Sequence, residues 1–224
     1  MDRVPDPGTQ TGDLRDNPLI EDFLTELSSS APVPGGGSVA ALEAALGASL
    51  LAMVANLTIG RKRYADVEPD ARRILARAEE LRDRAVRLSG EDRDAYAAVS
   101  SALGLGRETD EQKRERRARI QDALKGAALP PLQTMEVAAE VLRLAGELVD
   151  IGNRSAISDV GSAALSAHAG LEAARLNVEI NLASVDDETW REDIRRSMER
   201  LPDAGELKEL VLARTRAVIA ETGS

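Results

Sequence analysis

From Val39 to Ile59 the chain is nearly continuous in apolar and small residues, with Glu43 the one charge inside the run. About 20 apolar residues are enough to cross a bilayer, so the run reads as a membrane helix or as the central helix of a packed bundle. Its alanine content, Glu43 and the lack of a second such segment favour the bundle, with this helix buried on all sides. The rest of the chain suits that role. It leans on Ala, Leu, Arg and Glu, which are good helix formers, while aromatic residues make up 2% with one Trp and one Phe. The expected fold is all-α, an up-and-down-type bundle of about six to eight helices.

Residues 1–16 are rich in Pro, Gly, Thr and Asp and lack the apolar core of a signal peptide, so they read as a disordered tail. No internal stretch resembles a linker, and residues 17–224 read as one helical domain. Cysteine is absent, which excludes disulfides, thiolate nucleophiles and thiolate metal sites, and points to a reducing compartment, the cytoplasm. The formal net charge of −10 argues against duplex nucleic acid, which needs a basic face. With few aromatic residues there are also few stacking platforms for single strands.

The pattern predicts a short helix over Pro18–Leu27, then an extended loop, Pro32-Val33-Pro34-Gly35-Gly36-Gly37-Ser38, leading into the apolar helix. Gly60-Arg61-Lys62-Arg63-Tyr64 closes that helix as a basic loop. Pro69 starts a long helix to about Leu103, with Ser89-Gly90 as a possible bend. Glu108–Lys125 reads as a charged, solvated helix, and Pro130-Pro131 as the opening turn of the next. Asn153–Leu182 is another long helix, and Trp190–Glu221 gives two shorter ones separated near Pro202.

Two seams carry polar residues where apolar ones are expected. Steps of three and four after Pro69 give Ile74, Ala78, Leu81, Ala85, Leu88, Asp92, Ala95 and Val99, so one carboxylate interrupts an apolar stripe. A carboxylate facing a core is costly unless paired, and desolvation raises its pKa towards the range a general acid or base needs. The spacing is equally compatible with a buried salt bridge or a helix cap after Gly90. After Gly152 the seam is Asn153, Ile157, Val160, Ala164, Ala167, Leu171, Ala174, Val178 and Asn181. The stripe beside it, Asp159, Ala163, Ser166, Gly170, Ala173 and Asn177, is small and polar. It suits close helix packing or a polar pocket, and each Asn is also open to a capping or core-amide role.

Gly35, Gly36, Gly37 and Ser38 lack the Gly-Lys-Ser/Thr ending of a phosphate loop, although glycines before a helix can present N–H groups to an anion or polar ring. Arg61, Lys62 and Arg63 could attract a carboxylate tail or simply offset a helix dipole. His168 is the sole histidine, and without cysteine it makes no transition-metal set; the expectation is no metal.

Taken in order, Pro32 to Leu42, Met53-Val54, Leu57 to Tyr64, Asp92 with Ala95-Tyr96, Gly152-Asn153 with Ser158-Asp159, and Asn177-Val178 with Asn181-Leu182 resemble the cyclodeaminase/cyclohydrolase family. That family comprises the C-terminal domain of formiminotransferase-cyclodeaminase and stand-alone methenyltetrahydrofolate cyclohydrolases. The resemblance spans roughly Pro18 to Thr222. It implies an all-helical homodimer acting on one-carbon tetrahydrofolates, with Asp92 as the catalytic aspartate. It implies a folate substrate, mono- or polyglutamylated, and no separate cofactor, nucleic acid or membrane partner. The candidate substrate contacts are Gly35, Gly36, Gly37, Ser38, Arg61, Lys62, Tyr64, Asn153, Ser158, Asp159, Asn177 and Asn181. Where relatives often carry Leu-Pro-Lys, this chain has Leu105-Gly106-Arg107: the charge survives and the rigid turn does not. The reaction implied first is cyclodeamination of 5-formiminotetrahydrofolate to the 5,10-methenyl compound and ammonia. The alternatives are hydrolysis of the methenyl compound on the same scaffold, or a module that binds folate or assembles without catalysis.

Overall fold

The structure, a computed structural model, describes residues 18–222, so the 1–16 tail lies outside it. The chain divides into two compact units, Met1–Gly35 and Gly36–Ser224. The boundary falls inside the Pro32–Ser38 run that reads as a loop from sequence.

The first unit holds α1 (Pro18–Leu27). The helix stops at its serines, whose hydroxyls turn back on the last carbonyls: Ser28 Oγ donates to Thr25 O at 3.0 Å and Ser29 Oγ to Glu26 O at 2.7 Å. Such side-chain bonds compete with continuing the helix. The following Val33–Pro34 peptide is cis.

The second unit is built from α2 (Gly36–Thr58), α3 (Glu68–Leu103), α4 (Asp110–Ile151), α5 (Ile157–Leu182), α6 (Glu188–Glu199) and α7 (Ala204–Thr222). Short 3₁₀ turns over Lys62–Val67 and Arg154–Ala156 join α2 to α3 and α4 to α5. No strand occurs among the described residues, in keeping with an all-α bundle. Helix α2 packs against α3, α4 and α5, and α7 covers α4 and α5. The α5 seam is buried at Val160, Ala164, Ala167, Leu171, Ala174 and Val178, and the α3 seam at Ile74, Ala78, Ala85 and Leu88, but beyond Leu88 it leaves the core and Asp92, Ala95 and Val99 are half-buried. The small stripe of α5 serves close packing, because a Cβ on Gly170 would meet Ala40 O at 2.7 Å and one on Gly47 would meet Ala163 O at 2.9 Å.

Two expectations are corrected. Residues 108–125 and the segment opened by Pro130-Pro131 are not two helices but one, α4, with both prolines inside it. A proline removes the amide that would bond the carbonyl four residues earlier. Here Pro131 leaves Ala127 O without its helical donor, and Asn181 Nδ2 supplies one at 3.0 Å. A Thr109 capping box with Gln112 starts the helix, and Thr134 Oγ donates to Pro130 O at 3.0 Å. The second correction concerns α2, which is not buried all round. It is long and apolar enough to cross a membrane, and most of it is buried in the bundle. Leu42, Leu46, Met53 and Leu57, spaced along one side, are nevertheless exposed, Leu46 to 51%.

Candidate active site

Helices α2 and α3 run antiparallel, so the first turn of α2 lies beside the middle of α3. This brings Gly37 and Ser38 against Asp92. A Cβ on Gly37 would sit 2.2 Å from Asp92 Oδ1 and 2.5 Å from Oδ2, so only glycine lets the carboxylate rest on the helix terminus. Burial pushes the Asp92 carboxyl above its ordinary range, while the hydroxyl and backbone N–H of Ser38 pull the other way. Burial is the larger effect. The Ser38 hydroxyl also lies 3.3 Å from Ser89 O, and with one proton it can serve only one acceptor at a time. Asp92 has no cationic partner among the described residues, which removes the salt-bridge reading. What remains is a half-buried carboxylate with a raised pKa on the N-terminal turn of a helix.

The C-terminal part of α5 completes this end. A Cβ on Gly36 would lie 3.3 Å from Asn177 Nδ2, and Asn177 Nδ2 itself donates to Ala173 O at 2.8 Å. Asn181 Nδ2 reaches Ala127 O and, at 2.8 Å, Asn177 O. Gly36, Gly37, Ser38, Asp92, Asn177 and Asn181 therefore form one cluster. Gly35 belongs to the first unit, where its surroundings are Pro32 O. Sequence reasoning missed the cleft beside the cluster. Beyond the start of α2, the ends of α3 and α4 enclose about 710 Å³ lined by Ala95, Ala98, Ala102, Leu105, Arg119, Ala123 and Gly126. Its sequence signal was the row Ala95, Ala98 and Ala102, which meets the Asp92 stripe at Ala95 alone.

The other candidates gather at the opposite end of α2. A helix of 23 residues is roughly 34 Å long at 1.5 Å per residue, so a single chain does not bring them to Asp92. There Asn153 is fully engaged. Its Nδ2 donates to Leu57 O at 2.8 Å, its Oδ1 accepts Ser155 N at 3.0 Å, and its own N–H goes to Thr58 Oγ1 at 2.9 Å. Tyr64 Oη accepts the N–H of Arg154 at 3.0 Å, and Arg63 stacks over the Tyr64 ring. These contacts tie the α4–α5 turn to the end of α2. Arg61, Lys62 and Ser158 are exposed, and Asp159 lies in the first turn of α5.

Comparison with known proteins follows this layout. The family model for formiminotransferase-cyclodeaminase matches residues 19–200. The chain is 45% identical over 196 residues to the methenyltetrahydrofolate cyclohydrolase of Methylorubrum extorquens, covering 87% of this chain and 94% of that protein. It is 33% identical to the formimidoyltransferase-cyclodeaminase of Rattus norvegicus, covering 88% of this chain but 36% of that longer protein. The crystal structure of formiminotetrahydrofolate cyclodeaminase from Thermotoga maritima superposes with a TM-score of 0.77 at 29% identity, covering 91% of this chain and 96% of that one. A helical bundle with an aspartate seated on a glycine-rich helix start, matched over nearly its whole length, belongs to the formiminotransferase-cyclodeaminase family.

Proposed function

We propose that the chain is a folate one-carbon enzyme that hydrolyses 5,10-methenyltetrahydrofolate, using Asp92 as its acid/base group and no further cofactor. The observation that carries an enzymatic reading is Asp92 itself, half-buried, unpaired and raised in pKa next to an open cleft. The hydrolytic choice is favoured by the likeness to the Methylorubrum cyclohydrolase along almost its full length. Water adds to the methenyl carbon as Asp92 takes its proton. The C–N5 bond then breaks, N5 receives that proton from the same carboxyl, and the hydroxyl proton leaves to solvent as the bridging carbon becomes a formyl group on N10. Asp92 in its anionic form also favours the positively charged methenyl bridge. The second reading is cyclodeamination, favoured by the likeness to the Thermotoga protein. There Asp92 would carry the proton from N10 towards the departing ammonia.

The reading includes a homodimer in the cytoplasm. The dimer's support is the exposed apolar residues Leu42, Leu46, Met53 and Leu57 on α2 and Leu165, Leu176 and Ile180 on α5, the last 70% exposed. A two-fold axis perpendicular to α2 sets two copies of it antiparallel. The Arg61–Tyr64 loop of a second copy then lies towards the Gly36–Ser38 end of the first, where its cations can meet the glutamyl tail of a folate.

Purified protein is given 5,10-methenyltetrahydrofolate and, separately, the 5-formimino compound, and the methenyl absorbance is followed. Enzyme-dependent decay with the first substrate is expected. Growth of absorbance with the second compound alone would assign cyclodeamination instead, and no turnover of either would sink the folate reading.

A further inference from the structure

Helices α3 and α4 leave the core together. Between Leu88 and Ala127 only Ala102 is buried, although the segment is helical apart from residues 104–109. Below Leu88 the two helices are tied by the ion pairs Arg73–Glu147 and Arg77–Glu140, each 2.6 Å, and by the Arg84–Gln133 hydrogen bond. Above it they are tied at the tip, where Arg116 donates to Leu103 O at 3.0 Å, and the cleft lies in between. Arg84 meets Gln133, and Ala95 lines the cleft with Gly126, so Gly90 stands level with Pro130-Pro131. A Cβ on Gly90 would meet nothing within 4 Å, so packing does not require glycine in the middle of this 36-residue helix. What it adds is backbone freedom. The prolines opposite remove two amides from α4. Each helix is therefore weakest at one level, the level at which both leave the core.

The bonds that hold this outer part down are exposed. Arg117 pairs with Asp186 at 2.9 Å and Lys125 with Asp187 at 2.7 Å. Gln121 donates to Ser184 O at 3.1 Å and accepts the N–H of Asp186 at 2.7 Å. Water competes for every one of these groups, so they stabilise only weakly. We propose that residues 91–126 form a hinged arm, pivoting at Gly90 and Pro130-Pro131, that parts from the 184–187 loop and reseals on it to open and close the end of the bundle where Asp92 sits. Asp92 lies two residues beyond the pivot, while the end of α3 at Leu103 is roughly 20 Å from it at 1.5 Å per residue. A rotation of about 20° carries that end roughly 7 Å and the Asp92 backbone about 1 Å. The carboxylate thus keeps its place on Gly37 while the arm moves. The motion admits and releases ligand without dismantling the site, a step that commonly limits turnover. This gating role rests on the reading of Asp92 as the acid/base group; the hinge itself does not.

The chain has no cysteine, so introduced thiols report alone. Arg114→Cys on the arm and Glu192→Cys on α6, both at exposed positions, carry nitroxide labels, and pulsed electron spin resonance reads the distance between them. Two populations separated by roughly 5 Å or more are expected. Gly90→Ala should melt about 2–4 °C higher and deplete the longer population about fivefold. One narrow distance, unchanged by Gly90→Ala, overturns the hinge whatever the activity. Gating is tested by joining Arg117→Cys to Asp186→Cys with a short bis-methanethiosulfonate, which reductant removes. Arg77→Cys joined to Glu140→Cys, below the pivot, is the control. Locking the arm should lower kcat and kcat/KM for the methenyl substrate together by about tenfold, with full recovery on reduction, and the control link should change neither. Unchanged turnover in the locked arm, or equal loss from both links, overturns the gating role. A wild type that turns over neither folate overturns the parent reading and the gating with it, and the label distances still decide the hinge.

Discussion

At the scale of single residues, Asp92 was legible because a strict helical repeat puts it among Leu88, Ala95 and Val99, and repeats survive folding. Its partner was not legible. The contact of Gly37 with the carboxylate joins two helices, and no local rule in sequence reports which turn of α2 meets which turn of α3. Asp92→Asn keeps the size and removes the proton transfer. Turnover is expected to fall about 10² to 10⁴-fold with folate binding retained, and near-wild-type kcat in the folded variant would end the acid/base role. The stability consequence has a defined sign. Because burial raises the folded carboxyl above its unfolded value of 3.8, the native state binds more protons, and ionised Asp92 subtracts stability as pH rises from the unfolded value through the raised one. The asparagine variant should therefore melt at or above wild type at neutral pH, with the gap closing in acid; a gap that widens in acid would mean the carboxylate is net stabilising. Gly37→Ala should mimic the activity loss in a folded protein, since its methyl would overlap the carboxylate at 2.2 Å. Unchanged turnover in that variant would show that the position of Asp92 does not matter.

At the scale of elements, the helices and their order could be read because the apolar periods are long, and the one false break was instructive. Pro130-Pro131 signals a helix start when only α4 is considered. The structure keeps the helix intact because α5 lends Asn181 to an orphaned carbonyl, a compensation from a distant element that local pattern cannot contain. The same dependence between elements governs the α2–α5 crossing. A methyl on Gly170 would lie 2.7 Å from Ala40 O, so Gly170→Ala should cost about 1–3 kcal/mol despite alanine's better helix propensity. Urea denaturation measures it, and a neutral result would mean that the two helices separate without cost. Asn153 teaches the converse. Its Nδ2 and backbone N–H bond the end of α2 and its Oδ1 caps its own turn at Ser155, so a polar residue in a seam can mark a splice between helices as readily as a pocket.

At the scale of the molecule, the candidate residues fall at two ends of α2, and an assembly is the simplest way to join them. Light scattering should give about twice the 23.9 kDa chain mass, and Leu46→Glu, which places a charge on the exposed stripe, should return the monomer and lose activity with it. A fully active monomer would refute the shared arrangement. Replacing Arg61 and Lys62 by alanine should raise KM more for polyglutamylated than for monoglutamylated substrate, because the net charge of −10 otherwise repels the tail. Added salt should shrink that difference, whereas equal effects would leave the loop a helix-dipole role only. The double proline of α4 also divides the helix energetically. Residues 110–126 before it are exposed or half-buried, while those after it, Leu132, Met135, Leu142 and Leu148 among them, form the core. Two consecutive positions without amide protons interrupt the ladder at that border. Amide hydrogen exchange should consequently split one continuous helix into a fast half and a slow half, the fast half opening as its own cooperative unit at the wall of the cleft.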